Sequence, residues 1–558
     1  MKKIIKYMLV VFIAGSFLNS CDTTDLDLTE NPNILISGDP NLLLNSIQID
    51  YKDNVANFSF YGAQLTRIQF MGGRDYFNNF PGASMNFLWN NTYSGIFANV
   101  QAIEEINAVT DISYDFHVAV GKVAQAHSLI MLTDLIGEAA YSEALDPVQF
   151  PAPNLDDGAT VYTAALALLT EAEALFNTNP ATQGASDFYY DGDTSKWIKA
   201  INTLRLKAYK QTGDTSAFNA IVTADNFISS TEDDLQFEYG TNQLQPDTRH
   251  PDYANDYTPS GANSYRSNWL METMLLKDDP RIRYYFYRQV GGTPGALDYN
   301  GVEVEPNEET LACSLVVPPQ HYIDGGYTYC SVDNGYWGRS HGNDEGTPPD
   351  GFTRTASGVY PAGGKFDDND FAVDEEDPNY DPTVGLGKGG GGAGIEPMLL
   401  ASWVDFWIAE MSTSDADKAT YMEAGMTKSI AKVQTFGALD GTADTSYEPS
   451  STEVADYIAG IVSEYNSATG DDKENVYAEQ YWIALYGGGG ESYNYYRKTG
   501  FPTTLTPNWE PNPGAFPRSF LYPQDEVITN PNLTQKTTLT TQVFWDTNPA
   551  SPAFPAAN

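Results

Sequence analysis

The sequence predicts a mainly α-helical protein in which about four helical hairpins carry one large irregular, loop-rich region. Apolar residues recur at helical spacing in four pairs of segments. A stretch rich in Gly, Pro, Tyr and Asp, from about 236 to 397, separates the second pair from the third. Hydrophobic residues make up 41 % of the 558 residues, which is enough to bury a core at this length.

The helical segments are defined by apolar residues that fall on one face of each helix. They cover 93–109 with 117–135, 159–176 with 196–211, 398–411 with 416–435, and 452–466 with 473–486. In the first segment Ile96, Val100 and Ile103 recur at i, i+4 and i+7, and Gly137 follows the second in the position of a C-cap. Four hairpins indicate a scaffold of stacked pairs, although no repeat is visible in the sequence.

The region between the second and third pairs is predicted to carry function, because so long an irregular stretch rarely serves only as a connection. Within it, 311–317 is predicted as a strand, 326–330 as a weaker strand, and 387–392 as a flexible glycine-rich joint. The C-terminal part, about 487–558, is again loop-like and is expected to pack on the scaffold. Its large apolar residues require burial, namely Phe516, Phe520, Leu521, Phe544 and Trp545.

The N-terminal residues 1–20 have the pattern of an export signal. Three lysines accompany a short apolar core that ends at Leu18 and is too short to span a bilayer as a permanent anchor. Cys21 follows directly after the small Ser20, which resembles a bacterial lipoprotein signal. In such a signal the cysteine is lipidated and becomes the first residue of the mature chain. An ordinary secreted protein with an incidental cysteine is the alternative.

The remaining chain divides into a tether and one domain. Residues 21–35 are acidic and turn-rich, which is typical of a tether between a lipid anchor and a globular part. Their resemblance to acidic surface-export signals of some Gram-negative lipoproteins implies a protein that faces outward. Residues 36–558 are predicted to form a single domain, with the loop-rich region as an insertion.

The net charge argues against two classes of partner. Asp and Glu number 74 against 30 Lys and Arg, for a net charge of −44. Most of the surface would repel a phosphate backbone or an anionic lipid headgroup, so we expect no nucleic acid and no flat contact between the mature domain and a membrane. The same charge favours neutral or cationic ligands over strongly anionic ones.

The sequence shows no catalytic motif. Its five histidines form no His-x-x-x-His pair, Cys-x-x-Cys is absent, and so is the Gly-x-Ser-x-Gly elbow of serine hydrolases. Carboxylate pairs of the glycosidase type stay open, since 74 acidic residues offer many pairs. Cys313 and Cys330 either form a disulfide or remain two buried thiols.

Calcium is the one cofactor that the sequence brings into question. The segments 367–370 and 374–377 place hard oxygen ligands close together, but neither completes an EF-hand loop. We therefore expect no cofactor other than this candidate calcium ion, and the identity of any metal ligands stays unknown.

The loop region 321–366 holds the best ligand-binding candidates. Trp337 offers an apolar ring face, and Arg339 offers a bidentate donor, in a loop that contains glycine. The predicted ligand-binding residues are Tyr322, Tyr336, Trp337, Arg339, His341, Asn343 and Asp344. The alternative is that Trp337 packs this loop onto the scaffold. If Trp337→Ala left a stable protein of unchanged affinity, the site would move to the aromatic cluster of Tyr493, Tyr495 and Tyr496.

Four segments that follow Cys21 in order carry a family resemblance. They are Thr133-Asp-Leu-Ile-Gly-Glu-Ala-Ala-Tyr141, Lys196-Trp-Ile-Lys-Ala-Ile-Asn-Thr-Leu-Arg205, Tyr486-Gly-Gly-Gly-Gly-Glu491 and Arg518-Ser-Phe-Leu-Tyr522-Pro-Gln-Asp-Glu526. Together they resemble the SusD/RagB-like outer-membrane lipoproteins, in particular the SusD-like branch. The resemblance implies tetratricopeptide-like hairpins, one face that docks on a TonB-dependent outer-membrane transporter, loops that bind a nutrient, and no catalytic residues.

The resemblance and the residues together predict a lipid-anchored protein of the outer membrane that faces the cell exterior. It is expected to capture a nutrient for the transporter, in first place an oligosaccharide or polysaccharide, and not to be an enzyme. The stretch 321–366 departs from the starch-binding type, so the resemblance does not identify the ligand. Three alternatives stay open: capture of a peptide, a secreted hydrolase, and a scaffold that binds only protein.

Overall fold

The computed structural model describes residues 38–290, 296–297, 303–304, 317–345, 351–371, 378 and 382–555. The elements below all belong to the unit Pro40–Asn558. The predicted signal, the lipidated Cys21 and the tether lie outside the described residues, and so do residues 311–316 of the first predicted strand.

Helices dominate the described part of the chain, which confirms the predicted mainly α-helical class. In chain order they are α1 Pro40–Leu65, α2 Tyr76–Asn79, α3 Asn86–Asn90, α4 Ala98–Val109, α5 Asp115–Ile136, α6 Gly158–Phe176, α7 Thr194–Thr212, α8 Thr215–Ala224, α9 Pro251–Asp256, α10 Asn268–Leu276, α11 Ile282–Tyr285, α12 Gln320–Gly325, α13 Ala401–Met411, α14 Asp415–Thr435, α15 Ser451–Ser467, α16 Asp471–Ala484, α17 Gly490–Thr499 and α18 Gln524–Thr529. A π-helix, Asn91–Phe97, leads into α4.

The strands are short, and the described ones form two-stranded antiparallel ladders. The pairs are β1 Glu138–Ala139 with β2 Asp156–Asp157, β3 Leu235–Glu238 with β10 Ile395–Leu399, β4 Phe286–Tyr287 with β9 Ala356–Ser357, β5 Ala296–Leu297 with β6 Glu303–Val304, and β7 Ser331–Val332 with β8 Tyr336–Trp337. The β3–β10 pair brings together the two ends of the loop-rich region. The chain therefore leaves the helical scaffold at β3 and returns to it beside the same point at β10.

All four predicted helical hairpins are present and packed as pairs. They are α4 with α5, α6 with α7, α13 with α14, and α15 with α16. Successive pairs also touch, because α5 packs on α6 and α14 packs on α15. A contact between α7 and α13 connects the two halves of the scaffold across the loop-rich region.

The helix ends carry the capping groups that free backbone donors and acceptors require. The Asp157 side chain accepts hydrogen bonds from two amides at the start of α6, and Asp193 does the same for α7. Ser450 and Glu453 form a capping box at α15. Gly137 ends α5 in the left-handed conformation, which confirms the predicted C-cap.

Two local predictions are wrong for physical reasons. The weaker strand predicted at 326–330 is a turn followed by irregular chain, because Gly326 and Cys330 both adopt positive φ and interrupt extended backbone. Phe544 is 37 % exposed, whereas the other four C-terminal apolar residues are buried as predicted, namely Phe516, Phe520, Leu521 and Trp545. Ring contact with Tyr162 leaves one face of Phe544 open.

Helix α1 is central to the scaffold and lies outside the four predicted pairs. Its apolar side chains, including Leu44, Ile47, Tyr51, Val55 and Phe58, are buried against α5 and α17. The spacing of these residues follows the same helical rule as in the predicted segments. Helix α1 therefore presents one face to the core, and its opposite face lies outside the core.

A glycine contact sets the distance between α1 and α17. A Cβ atom on Gly62 would lie 2.6 Å from the Cα atom of Gly490, and one on Gly490 would lie 2.2 Å from the Cδ1 atom of Phe58. Both distances are shorter than carbon atoms tolerate, so only glycine allows the two helices to approach this closely.

We expect Gly62→Ala to destabilise the protein by about 2 kcal/mol, because the added methyl group must push α1 away from the backbone of α17. The matched control is Gly460→Ala in the exposed interior of α15, where nothing lies within 4 Å of the added Cβ. That variant should gain about 0.5–1 kcal/mol from helix propensity. Thermal and denaturant unfolding of both variants measures the difference, and equal stability of the two variants would contradict the contact.

Candidate functional site

The face of α1 that points away from the core lines a cavity of about 560 Å³. Asp53, Asn57, Phe60 and Gln64 recur three or four residues apart, so all four side chains lie on this face. We call the cavity the α1 groove. Its lining residues are Asp53, Ala56, Asn57, Ser59, Phe60, Gln64, Ile68, Gln69, Phe70, Gly72, Phe87, His250, Pro251, Asp252, Asn263, Ser264, Tyr265, Arg266, Ser267, Pro361, Glu396, Tyr486 and Gly487.

Aromatic rings form the upper part of the α1 groove. Phe60 of α1 is 46 % exposed and Phe87 of α3 is 50 % exposed, although both are large apolar side chains. Phe70 and Tyr265 are half-buried and meet edge to face, with ring centroids 5.6 Å apart. Open ring faces beside amide and carboxyl side chains suit a ligand that has both apolar faces and polar edges.

Two guanidinium groups hold the ring of Tyr265. The Cζ atom of Arg354 lies 3.8 Å from the ring centroid, and that of Arg339 lies 4.3 Å from it. Arg339 is nine-tenths buried or more, so its charge faces the ring in a medium of low dielectric constant. Tyr265 is therefore a fixed part of the groove wall.

The chain segment behind this wall contains the predicted ligand-binding loop. The amide of Arg339 donates to the carbonyl of Arg266 at 2.9 Å, and the amide of Asn268 donates to the carbonyl of Arg339 at 3.2 Å. A Cβ atom on Gly338 would lie 2.4 Å from the carbonyl oxygen of Arg266. This glycine lets the predicted loop lie directly against the wall of the α1 groove.

Ionisable side chains line one part of the α1 groove, which we call its floor; they are Asp53, His250, Asp252, Arg266 and Glu396. Glu396 extends from β10 and is buried, and burial raises the pKa of its carboxyl well above its usual range. The carboxylates of Asp252 and Asp53 raise that pKa further, whereas Lys52 opposes them. Burial also lowers the pKa of His250 to about 4, so its imidazole is neutral at pH 7.

Six of the seven predicted ligand-binding side chains are buried. They are Tyr322, Tyr336, Trp337, Arg339, His341 and Asn343, whereas Asp344 is exposed. Trp337 is only 4 % exposed and contacts Cys330 and Val290, which is the packing role that the sequence left as the alternative. Trp337 therefore has no open ring face for a ligand, whereas Phe60 and Phe87 of the α1 groove do. The second candidate cluster, Tyr493, Tyr495 and Tyr496, is also buried.

The predicted loop ties distant segments together instead. The hydroxyl of Tyr76 lies 3.2 Å from Nε2 of His341, and the amide of Trp509 donates to the carbonyl of His341 at 2.8 Å. Asp344 pairs with Arg74 at 2.7 Å on the surface. The loop thereby links the chain that follows α1 to the C-terminal part.

In 367–370, the described half of the candidate calcium segments, two aspartates already form ion pairs. Asp367 accepts from Arg288 at 2.6 Å, and Asp370 pairs with Lys365 at 3.0 Å. Residues 374–377 lie outside the described residues. Among the residues that the structure describes, no group of three or more His, Cys, Asp and Glu side chains is placed to hold a metal ion. Cys330 is disulfide-bonded, and Cys313 lies outside the described residues.

A second cavity of about 1160 Å³ lies beside α10, α11 and α15. Its two arginines already pair, since Arg283 and Arg288 both contact Asp367. Tyr336 is buried, and Tyr447, which is 39 % exposed, lies 5.3 Å from the guanidinium of Arg283. This cavity offers one exposed aromatic ring, whereas the α1 groove offers both Phe60 and Phe87, so this cavity is the weaker candidate for ligand binding.

Comparison with known proteins adds a family model. The model described as "Starch-binding associating with outer membrane", SusD-like, matches residues 32–318 and 395–523. These two ranges cover more than half of the chain and include every lining residue of the α1 groove except Pro361. The predicted loop lies between the two ranges. No curated protein matches the chain in sequence.

Solved structures share the fold at low sequence identity. A SusD/RagB family protein from Bacteroides thetaiotaomicron has a TM-score of 0.63 at 15 % identity, over 92 % of this chain and 100 % of its own. A chitin-binding protein has a TM-score of 0.60 at 18 % identity, over 91 % and 100 %. A SusD homolog from Bacteroides fragilis has a TM-score of 0.58 at 18 % identity, over 91 % and 99 %.

We expect Trp337→Ala to destabilise the protein by about 3–5 kcal/mol, because it empties a buried ring volume beside Cys330. Any fall in ligand binding should be no larger than the fall in the fraction of folded protein. Thermal unfolding measured beside the titration of a ligand separates the two effects. A variant that unfolds like the wild type and binds less would restore Trp337 as a binding residue.

Proposed function

Because the chain belongs to the SusD-like family of starch-binding proteins that associate with the outer membrane, we propose that it captures a glycan in the α1 groove. The glycan is then passed to a TonB-dependent transporter in the same membrane. Lipidation of Cys21 would hold the protein at the outer face of that membrane, since acyl chains inserted in the bilayer anchor the protein that carries them.

The observation that carries the proposal is the combination of open aromatic rings and polar side chains in one groove. The exposed faces of Phe60 and Phe87 offer flat apolar surfaces on which the C–H face of a sugar ring can stack. Asn57, Gln64 and Gln69 offer amide donors and acceptors at its edges, which suit sugar hydroxyls. A cavity of about 560 Å³ holds a short oligosaccharide or one stretch of a longer chain.

Hydrolysis is the competing function, and one observation favours it. Glu396 is a buried carboxyl of raised pKa that shares the groove with Asp53 and Asp252, and glycosidases use such carboxyl pairs as acid and base. We propose capture and not turnover, because the family model describes binding. Incubation of each bound glycan with the protein, followed by analysis of its length, tests this directly: shortened products would establish an enzyme.

We expect Phe60→Ala and Phe87→Ala each to weaken glycan binding by about 2 kcal/mol, or roughly thirtyfold, without loss of stability. The matched control is Phe77→Ala, which removes a ring of similar exposure, 49 %, outside the lining of the groove. Calorimetric titration against neutral oligosaccharides, maltohexaose and chitohexaose among them, measures the effect. Equal affinity in all three variants would move the site elsewhere, and binding of peptides alone would replace the glycan by a peptide.

We expect the protein to co-purify with a β-barrel transporter when membranes of its native host are dissolved in mild detergent. A nutrient captured outside the membrane must be handed to a protein that crosses it, so a stable complex serves delivery. Another lipoprotein of the same membrane is the control for non-specific recovery. Isolation of this protein alone, with the transporter present in the same extract, would argue against delivery to that partner.

A further inference from the structure

One carboxyl group in the floor of the α1 groove has no hydrogen-bond or ion-pair partner among the described residues. This carboxyl belongs to Glu396, which is nine-tenths buried or more and lines the groove. A buried carboxyl normally has such a partner, because desolvation otherwise makes its charge costly. A second polar atom in the groove lining, Nε of the buried Arg266, is also without a hydrogen-bond partner in the described part of the chain.

Lys52, which acts electrostatically on Glu396, and Arg266, which lines the same groove, are both paired with other acids. Lys52 pairs with Asp53 and lies 5.4 Å from the ring centroids of both Phe237 and Tyr239. Arg266 pairs with Asp256, and its Nη1 atom lies 3.8 Å from Asp252.

The acids in and beside the groove outnumber the cations even while Glu396 holds its proton. Lys52 and Arg266 stand against three other acids, which are Asp53, Asp252 and Asp256. Lys52 is matched by Asp53 and Arg266 by Asp256, so Asp252 keeps only its 3.8 Å contact with Arg266, and Glu396 is paired with no described cation. His250 adds no positive charge at neutral pH, because burial lowers its pKa to about 4. The electrostatic potential at the floor favours a positive group from outside.

A metal ion does not account for this excess. The residues that the structure describes hold no group of acids and histidines placed for metal coordination. A structural role does not account for it either, because an unpaired buried carboxyl destabilises a fold. A ligand that brings its own positive charge does account for it.

We propose that the floor of the α1 groove recognises a positively charged amino group, so that the protein selects glycans that contain amino sugars with a free amine. The inference rests on the proposed glycan capture and adds the class of glycan. An ammonium group beside Glu396 would lower the pKa of its carboxyl, so that Glu396 releases its proton to solvent and accepts a charge-assisted hydrogen bond from the ammonium. A neutral sugar hydroxyl at the same place would leave the excess charge unchanged.

The pH dependence of the protein's stability gives an independent test of the unpaired carboxyl. Burial raises the pKa of Glu396 in the folded state, so the folded protein holds a proton that the unfolded chain releases near its usual carboxyl pKa. Stability then falls as the pH rises above that value, since the folded state binds more protons than the unfolded state. Glu396→Gln keeps the shape and removes the titrating group, so this variant should melt at a higher temperature than the wild type at neutral pH.

The binding experiment compares three hexasaccharides with the same β-1,4 backbone. Cellohexaose carries a hydroxyl at C2, chitohexaose carries an acetamide, and the fully deacetylated glucosamine hexamer carries an amine. In calorimetric titrations at neutral pH, where a bound ammonium group and the carboxyl of Glu396 can form an ion pair, we expect the amine hexamer to bind the wild type about tenfold or more tightly than cellohexaose. Added salt should weaken the amine hexamer more than the neutral ones.

Glu396→Gln should reduce this preference to about twofold or less, whereas the control Glu105→Gln, an exposed acid on α4, should keep it. An amine hexamer that binds no more tightly than cellohexaose, or a preference that survives Glu396→Gln, would overturn the inference. Binding of neutral hexamers without amine preference leaves the proposed capture of glycans standing. Absence of binding by every hexamer, the amine included, overturns the inference and counts against glycan capture as well.

Discussion

The backbone contact between α1 and α17 determines which side chains of α1 face the groove and can bind a ligand. Gly62 and Gly490 bring the two helices so close that the face of α1 with Phe58 cannot turn away from the core. The neighbouring glycines serve the same packing: a Cβ atom on Gly488 would meet the ring of Trp403 at 2.1 Å, and one on Gly489 would meet Ala63 at 2.7 Å. The opposite face of α1 is thereby fixed toward the groove, and its polar and aromatic side chains need no adjustment on binding.

Two layers of loop support the other wall of the groove. Tyr265 lines the groove, and the guanidinium groups of Arg339 and Arg354 lie against its ring. Gly338 allows the second layer to lie against the backbone of the first. Residues of this second layer can therefore affect binding without touching a ligand, through the position of Tyr265.

Helical spacing predicts the scaffold well, because each hairpin buries a stripe that its own sequence displays. Helix α1 displays the same stripe, and its opposite face shows Asp53, Asn57 and Phe60 at helical spacing, so this half of the groove was open to prediction from the sequence. The other half was not, because β10 and the wall at Tyr265 meet α1 only through tertiary packing. Burial of Trp337 was equally hidden, since a ring in a glycine-rich loop has the same composition whether it stacks on a ligand or fills a core.

The difference between core and groove also explains how Glu396 can stay unpaired. Two deeply buried charged pairs elsewhere are complete: Arg518 pairs with Asp546, and Arg281 pairs with Asp279. Those pairs fix local geometry and are complete without a ligand. In the groove floor the helix and the strand are each held by apolar packing, so a carboxyl can stay unpaired without loss of the fold. An unpaired buried carboxyl lowers the free energy of unfolding of the free protein. A binding protein can tolerate this loss, because a ligand that pairs with the carboxyl recovers the same free energy as binding affinity.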